Sequence, residues 1–254
     1  VDDVDLLTPS SVSLTPNPPS PILTRPTQMT FLLLTSRLYK VSNRICESIF
    51  TYPQSRFSTS QLESEVLAIR ELCDTRYILD TARDPLPVHH QANLNILYAH
   101  IHQLLLLLLR PSLCQFLQGE ITSETCEARG KCMASAKAAL SIFQSLLENP
   151  QFAPYKWYTS GLGSFHAFHA AVVLAVGLMN PENQAEFNET KEILSKALDM
   201  FASLSVRSIF CSKAMPIVRQ IMYVTFLFSS SFFSYQNKTN LLCSDVTSTQ
   251  YQQT

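Results

Sequence analysis

From Phe31 onward the apolar positions of this chain recur at intervals of three and four. Leu34, Leu38, Val41, Ile45 and Ile49 form the first such stripe and predict an amphipathic helix that stops near Tyr52-Pro53. Ser60-Gln61-Leu62-Glu63 has the form of a capping box, and Leu62, Val66, Ile69 and Cys73 keep the period behind it. A second helix is therefore expected to run to about Tyr77 or Asp80, where Arg83-Asp84-Pro85-Leu86-Pro87 breaks the pattern. A third is predicted from about His90 to Leu109, ended by Pro111. Its second half, Leu104 to Leu109, is apolar all round. A helix with no polar face belongs at the centre of a domain and is contacted from several sides.

The same reading places a fourth helix from about Ser123 to Leu147, with Cys126, Met133, Ala136, Leu140, Phe143 and Leu147 inward and Asn149-Pro150 as its stop. Its small residues, Ala134 to Ala139, permit close helix approach. Trp157 to Met179 is expected as a fifth, central helix ended by Asn180-Pro181. In a sixth, Glu186 to Leu204, Phe187, Ile193 or Leu194, Ala197 or Leu198, and Phe201 face inward, while Glu189, Lys191, Glu192 and Lys196 face water. Cys211 to about Phe228 makes the seventh. The fold class is thus all-α: an irregular multi-helix domain of about seven helices over residues 31–228. A proline-rich, disordered leader over 1–30 precedes it, and a Ser/Thr/Asn/Gln-rich tail over 229–254, expected to fray, follows. No fixed-period repeat favours a solenoid.

Composition narrows the function classes. With 46% hydrophobic and 15% charged residues among 254, the chain can bury one sizeable core. Nineteen basic against twenty acidic residues leave a formal charge of −1, no surplus for holding a phosphate backbone, so direct nucleic-acid binding by this chain is not expected. Seven cysteines, at 46, 73, 114, 126, 132, 211 and 243, are odd in number and lack paired spacing, with no signal peptide ahead of them. They read as reduced, mostly buried thiols of an intracellular protein. The sequons at Asn188 and Asn237 matter only in a secreted chain. The longest apolar runs, Leu104 to Leu109 and Ala170 to Met179, fall short of the roughly 20 residues of a membrane span. Five glycines argue against phosphate-cradling loops.

Few residue groups have the pattern of chemistry. His100 and His102 point to different helix faces, whereas His166 and His169 can share one; neither pair has a carboxylate at the spacing a metal site needs. Cys126 and Cys132 are six apart, too far round a helix to face one metal. Gly161-Leu162-Gly163-Ser164 is the nearest approach to a nucleophile turn, but it is expected within a helix, and no glycine stands two residues after Ser164. Asp2-Asp3-Val4-Asp5 lies ahead of the leader rather than on a cavity-facing helix, which removes a diphosphate-binding terpene-cyclase reading. No catalytic, cofactor-binding or metal residue is assigned, and the chain is not expected to be an enzyme. Arg110-Pro111 is more informative, since an arginine at the end of an apolar helix can cap its last carbonyls.

The stretch from Leu94 through Tyr98 to Leu108-Leu109-Arg110-Pro111 resembles the fungal-specific transcription factor domain, the middle homology region of fungal binuclear zinc-cluster transcription factors, in its C-terminal portion. In that family a tyrosine precedes a Leu-x-Arg-Pro ending by about a dozen residues, and a helix with Cys and small residues follows; Cys126 and Cys132 through Ala139 fit that place. Val1 to Ser13 is similar to the family's acidic, proline-containing segment, Leu38 to Ile45 to its Leu-x-x-Ile helix, and Trp157 to the start of the next apolar helix. The signature residues that the resemblance marks as structural are Tyr98, Leu108, Leu109, Arg110, Pro111 and Trp157. The family's six-cysteine zinc cluster has no counterpart here. The resemblance therefore implies zinc only for the DNA-binding element of a full-length protein, and none in this chain. The family's N-terminal helices also have no match, so a fragment or truncated gene product is expected, and the end after Phe226 departs from the family.

The resemblance implies a nuclear regulator of transcription by RNA polymerase II, whose partners are the transcription machinery or regulatory proteins. A small-molecule effector or a second copy of the chain are further partners it allows; a membrane is not. The alternative is a helical ligand-binding or dimerisation scaffold unrelated to transcription.

Overall fold

The structure is a computed structural model and describes residues 26–50, 57–78, 85–179 and 184–226. Within them the chain is all-α. The helices are α1 (Gln28–Phe50), α2 (Thr59–Tyr77), α3 (Val88–Leu117), α4 (Ser123–Glu148), α5 (Lys156–Ser160), α6 (Leu162–Gly177), α7 (Gln184–Leu204) and α8 (209–226), with a 3₁₀ stretch over Pro150–Tyr155 before α5. The expected leader and tail lie almost wholly outside the described residues.

α3 is the axis of the fold. Its Leu97, Ile101, Leu104, Leu105 and Leu108 pack with Leu34, Leu38, Val41 and Ile45 of α1 and with Leu62, Val66, Ile69 and Cys73 of α2. Its Leu106, Leu109 and Leu113 enter a second core built from α4, α6, α7 and α8. Five of the six leucines from Leu104 to Leu109 are buried, as their lack of a polar face predicts; Leu107 is half-buried. By length and composition α3 is apolar enough to cross a membrane, and 67% of that window is buried inside this fold. α4 lies along α3 and α6, and α6 in turn contacts α3 and α7. The small residues of α4 act as expected, with Ser135, Ala136 and Ala139 buried at the close approach.

Several boundaries differ from the sequence reading. α2 is capped by Ser58, whose side chain accepts from the Gln61 amide at 3.2 Å, and not by a box starting at Ser60. Pro111 does not end α3. The helix runs through it to Leu117 because the turn beyond carries Leu113 and Phe116, which are buried, so tertiary burial outweighs the local cost of proline. The true end is Gly119 at φ 94°, a left-handed cap: the Glu120 amide donates to Gln115 O at 3.0 Å and the Gly119 amide to Phe116 O at 3.1 Å. α4 begins where expected, capped by Thr122 and Thr125, each accepting from the other's amide.

The expected Trp157–Met179 helix is broken at Gly161. The Pro150–Ser160 segment meets α6 at 78°. Pro150 and Pro154 hold the first part in a tight 3₁₀ path, and at the corner Tyr158 lies against Gly163, where a Cβ would stand 2.7 Å from its ring. Only the second part, α6, is central. Trp157 is 65% exposed on α5 and does not begin the apolar helix. Of the six described cysteines, Cys73, Cys132 and Cys211 are buried while Cys46, Cys114 and Cys126 are exposed, so the thiols are not mostly buried. Cys126 lies in the first turn of α4, short of its packed length.

Candidate functional site

Buried and half-buried polar side chains gather where α3 meets α6. His100 and Gln103 are three apart on α3, and His166 and His169 are three apart on α6, so each pair forms one short polar row on its helix. The rows face one another. His100 stacks on His166 with ring centroids 5.9 Å apart and planes inclined by 29°, and His169 Nδ1 donates to Gln103 Oε1 at 3.1 Å. Tyr158 of α5 donates its hydroxyl to His166 Nδ1 at 3.2 Å, and Tyr39 of α1 packs edge-on to His100 at 5.3 Å. Four helices thus contribute to one seam.

Burial decides the charge state of the seam. It pushes His166 down to about 3, helped by His100 and His169 beside it, and it lowers His100 and, together with Arg110, His169. At neutral pH the imidazoles are uncharged, which lets His166 Nδ1 accept from Tyr158. Burial also raises the Tyr158 hydroxyl far above its usual range, so it remains a donor. Such an arrangement holds two buried helix faces in register by hydrogen bonds and stacking. It carries no carboxylate that would activate a nucleophile.

Ser164, in the stretch weighed as a nucleophile turn, stands at the start of α6 beside the α5–α6 corner rather than within one continuous helix. Its hydroxyl donates to Thr159 O and accepts from Cys211 Sγ at 3.2 Å, so it ties α6 to the corner and to α8. Ser208 Oγ adds a bond to Ser160 O at 3.0 Å. Among the described residues no three His, Cys, Asp or Glu side chains converge as a metal centre requires. The six described cysteines are dispersed over five helices, and burial pushes the metal-free Cys73 and Cys132 thiols up to about 12. These residues do not fit a zinc cluster.

The signature residues do not form one site. Tyr98 is half-buried and donates to Asp74 Oδ1 on α2; Leu108 belongs to the α1–α2 core and Leu109 to the α4–α8 core. Arg110 is exposed in mid-helix, seven residues before the end of α3, and makes no hydrogen bond or ion pair among the described residues, so it caps nothing. Pro111 is exposed beside it.

Sequence reasoning also missed the ion pair between Arg129 and Glu186, whose distances are 2.9 and 3.0 Å. A signal was present, since Arg129 lies on the apolar stripe of α4 between Cys126 and Met133. The Asp74–Tyr98 bond joins positions 24 apart and leaves no local trace. No protein-family model, no curated protein and no solved structure matches this chain.

Proposed function

We propose that this chain is a helical regulatory module acting in the nucleus on transcription by RNA polymerase II, of the kind found in the middle homology region of fungal zinc-cluster transcription factors. The observation that supports the reading is the position of α3. The helix bearing Tyr98 through Pro111 packs against α1 and α2 on one side and against α4 and α6 on the other, so a shift of α3 is felt in both cores. In this reading regulation is a packing change transmitted through α3, the chain performs no bond chemistry, and DNA contact belongs to another element of the full-length protein.

The test is a fusion of the chain to a heterologous DNA-binding domain and activation domain in a fungal reporter strain. The expected result is reporter output that the module lowers or raises several-fold, with Tyr98→Phe changing that effect at unchanged protein level. Reporter output identical with and without the module, in fusions of equal abundance and nuclear location, overturns the proposal.

A further inference from the structure

The groove between α2, α3 and α4 holds an open cavity of about 380 Å³. Its lining combines an exposed cation with buried polar groups that have no partner among the described residues. Arg70 of α2 is exposed at its rim and makes no ion pair among the described residues. His102 of α3, 9% exposed, also lines it. The Nδ1 of that ring is sealed from solvent without a partner, whereas Nε2 is not sealed and has no partner among the described residues, so Nε2 is the nitrogen left for an incoming group. A proton is accommodated at lower cost on the accessible nitrogen than on the sealed one, which makes Nε2–H a donor. Burial, then Arg70 nearby, lowers His102 to about 4, so the ring is neutral at physiological pH. Ser135 of α4, 6% exposed, adds a hydroxyl with no partner among the described residues.

The remaining charge at the rim is already matched. Lys131 Nζ lies 2.7 Å from Glu63 and 2.9 Å from Glu127, which leaves Arg70 as the cation with nothing opposite it. The floor is apolar, formed by the buried Leu105 and Leu109, with Leu67 at the edge. In the cavity between α4 and α7, by contrast, Lys137 is paired with Glu189 at 2.7 Å and Lys196 with Glu192 at 2.8 Å.

We propose that this groove binds a small organic carboxylate with an apolar body, its carboxylate held by Arg70, His102 Nε2–H and Ser135 and its hydrocarbon laid over Leu105 and Leu109. A carboxylate is the acceptor-only group that satisfies three donors and one unmatched positive charge together. The inference rests on the cavity alone and stands or falls apart from the transcriptional reading.

The experiment is titration calorimetry of the full chain with octanoate, and with octan-1-ol and octylamine as probes of equal length and different head group. Octanoate is expected to bind and to raise the unfolding temperature, with octan-1-ol at least tenfold weaker and octylamine weaker still. Arg70→Gln alters an exposed side chain, so it leaves folding intact and weakens octanoate by about tenfold or more, the loss of one charge-assisted contact. Ala134→Phe, at an exposed position on the groove wall, is expected to block octanoate without unfolding the chain. Absence of octanoate heat, equal binding of octylamine, or unchanged affinity in both variants overturns the proposal.

Discussion

Arg129 of α4 holds Glu186 of α7 with Nη2 donating to both carboxylate oxygens, at 3.0 and 2.9 Å, the arginine side chain only 3% and the glutamate 15% exposed. The guanidinium also lies over the Phe116 ring of α3 at 5.7 Å, so one side chain joins three helices. The other ion pairs among the described residues have at least one partner more than a quarter exposed, and they contribute little by comparison.

Removing one member of an enclosed pair takes from the other a counter-charge that it faces in the fold. Arg129→Ala is therefore expected to destabilise the chain by about 3 kcal/mol, and Arg129→Met, which keeps the volume over Phe116, by about half as much. Urea unfolding of both, with Glu186→Gln in a double-mutant cycle, measures the coupling. A cost below about 0.5 kcal/mol for Arg129→Ala would put the pair in the class of surface bridges.

The imidazole seam makes stability depend on pH in a definite direction. An unfolded histidine titrates near 6.5, while His166 in the fold is held down to about 3. Between these values the unfolded chain binds more protons than the folded one, so stability rises with pH through the window. It is fully present above about 6.5 and is lost as pH falls toward about 3. His102, lowered to about 4, acts in the same sense. His166→Gln keeps a polar side chain beside Tyr158 but removes the titration. It is expected to flatten the dependence of unfolding free energy on pH between about 5 and 6.5, the upper part of the window, where carboxylates contribute least. An unchanged slope would show that His166 takes up its proton without opening the seam.

Two neighbours on α3 should respond to the same kind of change by very different amounts. Leu106 is fully buried where α3 meets α4, and Leu106→Ala is expected to cost about 2 to 5 kcal/mol. Arg110, exposed in mid-helix, should lose less than about 0.5 kcal/mol on Arg110→Ala, since alanine is also a good helix former. Thermal unfolding of the pair checks the reassignment of Arg110 from a helix cap to a solvent-facing residue. A loss above about 1 kcal/mol for Arg110→Ala would restore a structural role to it.

The parts of the fold that sequence reveals are those where one face of a helix is buried and the other is wet. α1, α2 and α7 are of this kind, and Leu34, Leu38, Val41 and Ile45, then Leu62, Val66, Ile69 and Cys73, then Leu194, Ala197 and Phe201, are buried as the period requires, whereas Ile49, the last position of the first stripe, is 39% exposed near the end of α1. Boundaries were less legible, because a proline has a local cost that is visible in sequence while the burial that offsets it is not. Pro111 reads as a stop until Leu113 and Phe116 are seen against the second core. The seam was half legible. The spacing of His166 and His169 shows that they share a face, but nothing along the chain says that His100 and Gln103, more than sixty residues earlier, lie opposite them.

Pro111 gives the sharpest test of how α3 is built. Inside a helix it removes the amide that would bond to the Leu107 carbonyl and crowds that carbonyl with its ring, at a cost of roughly 3 kcal/mol relative to alanine. Part of this is returned through the unfolded chain, which proline stiffens by about 0.4 to 1 kcal/mol. Pro111 is exposed, so its replacement opens no cavity. Pro111→Ala is therefore expected to stabilise the chain by about 2 to 2.6 kcal/mol, the part of the helix penalty that the unfolded state does not return. If instead α3 ended at Arg110, with Pro111 as a stop signal, the substitution would remove a favourable constraint and lower stability by a few tenths of a kcal/mol. Unfolding in urea separates the two by sign. Leu113→Ala, tested alongside, completes the argument: a large loss there, about 2 to 4 kcal/mol, is what burial of the turn beyond the proline requires.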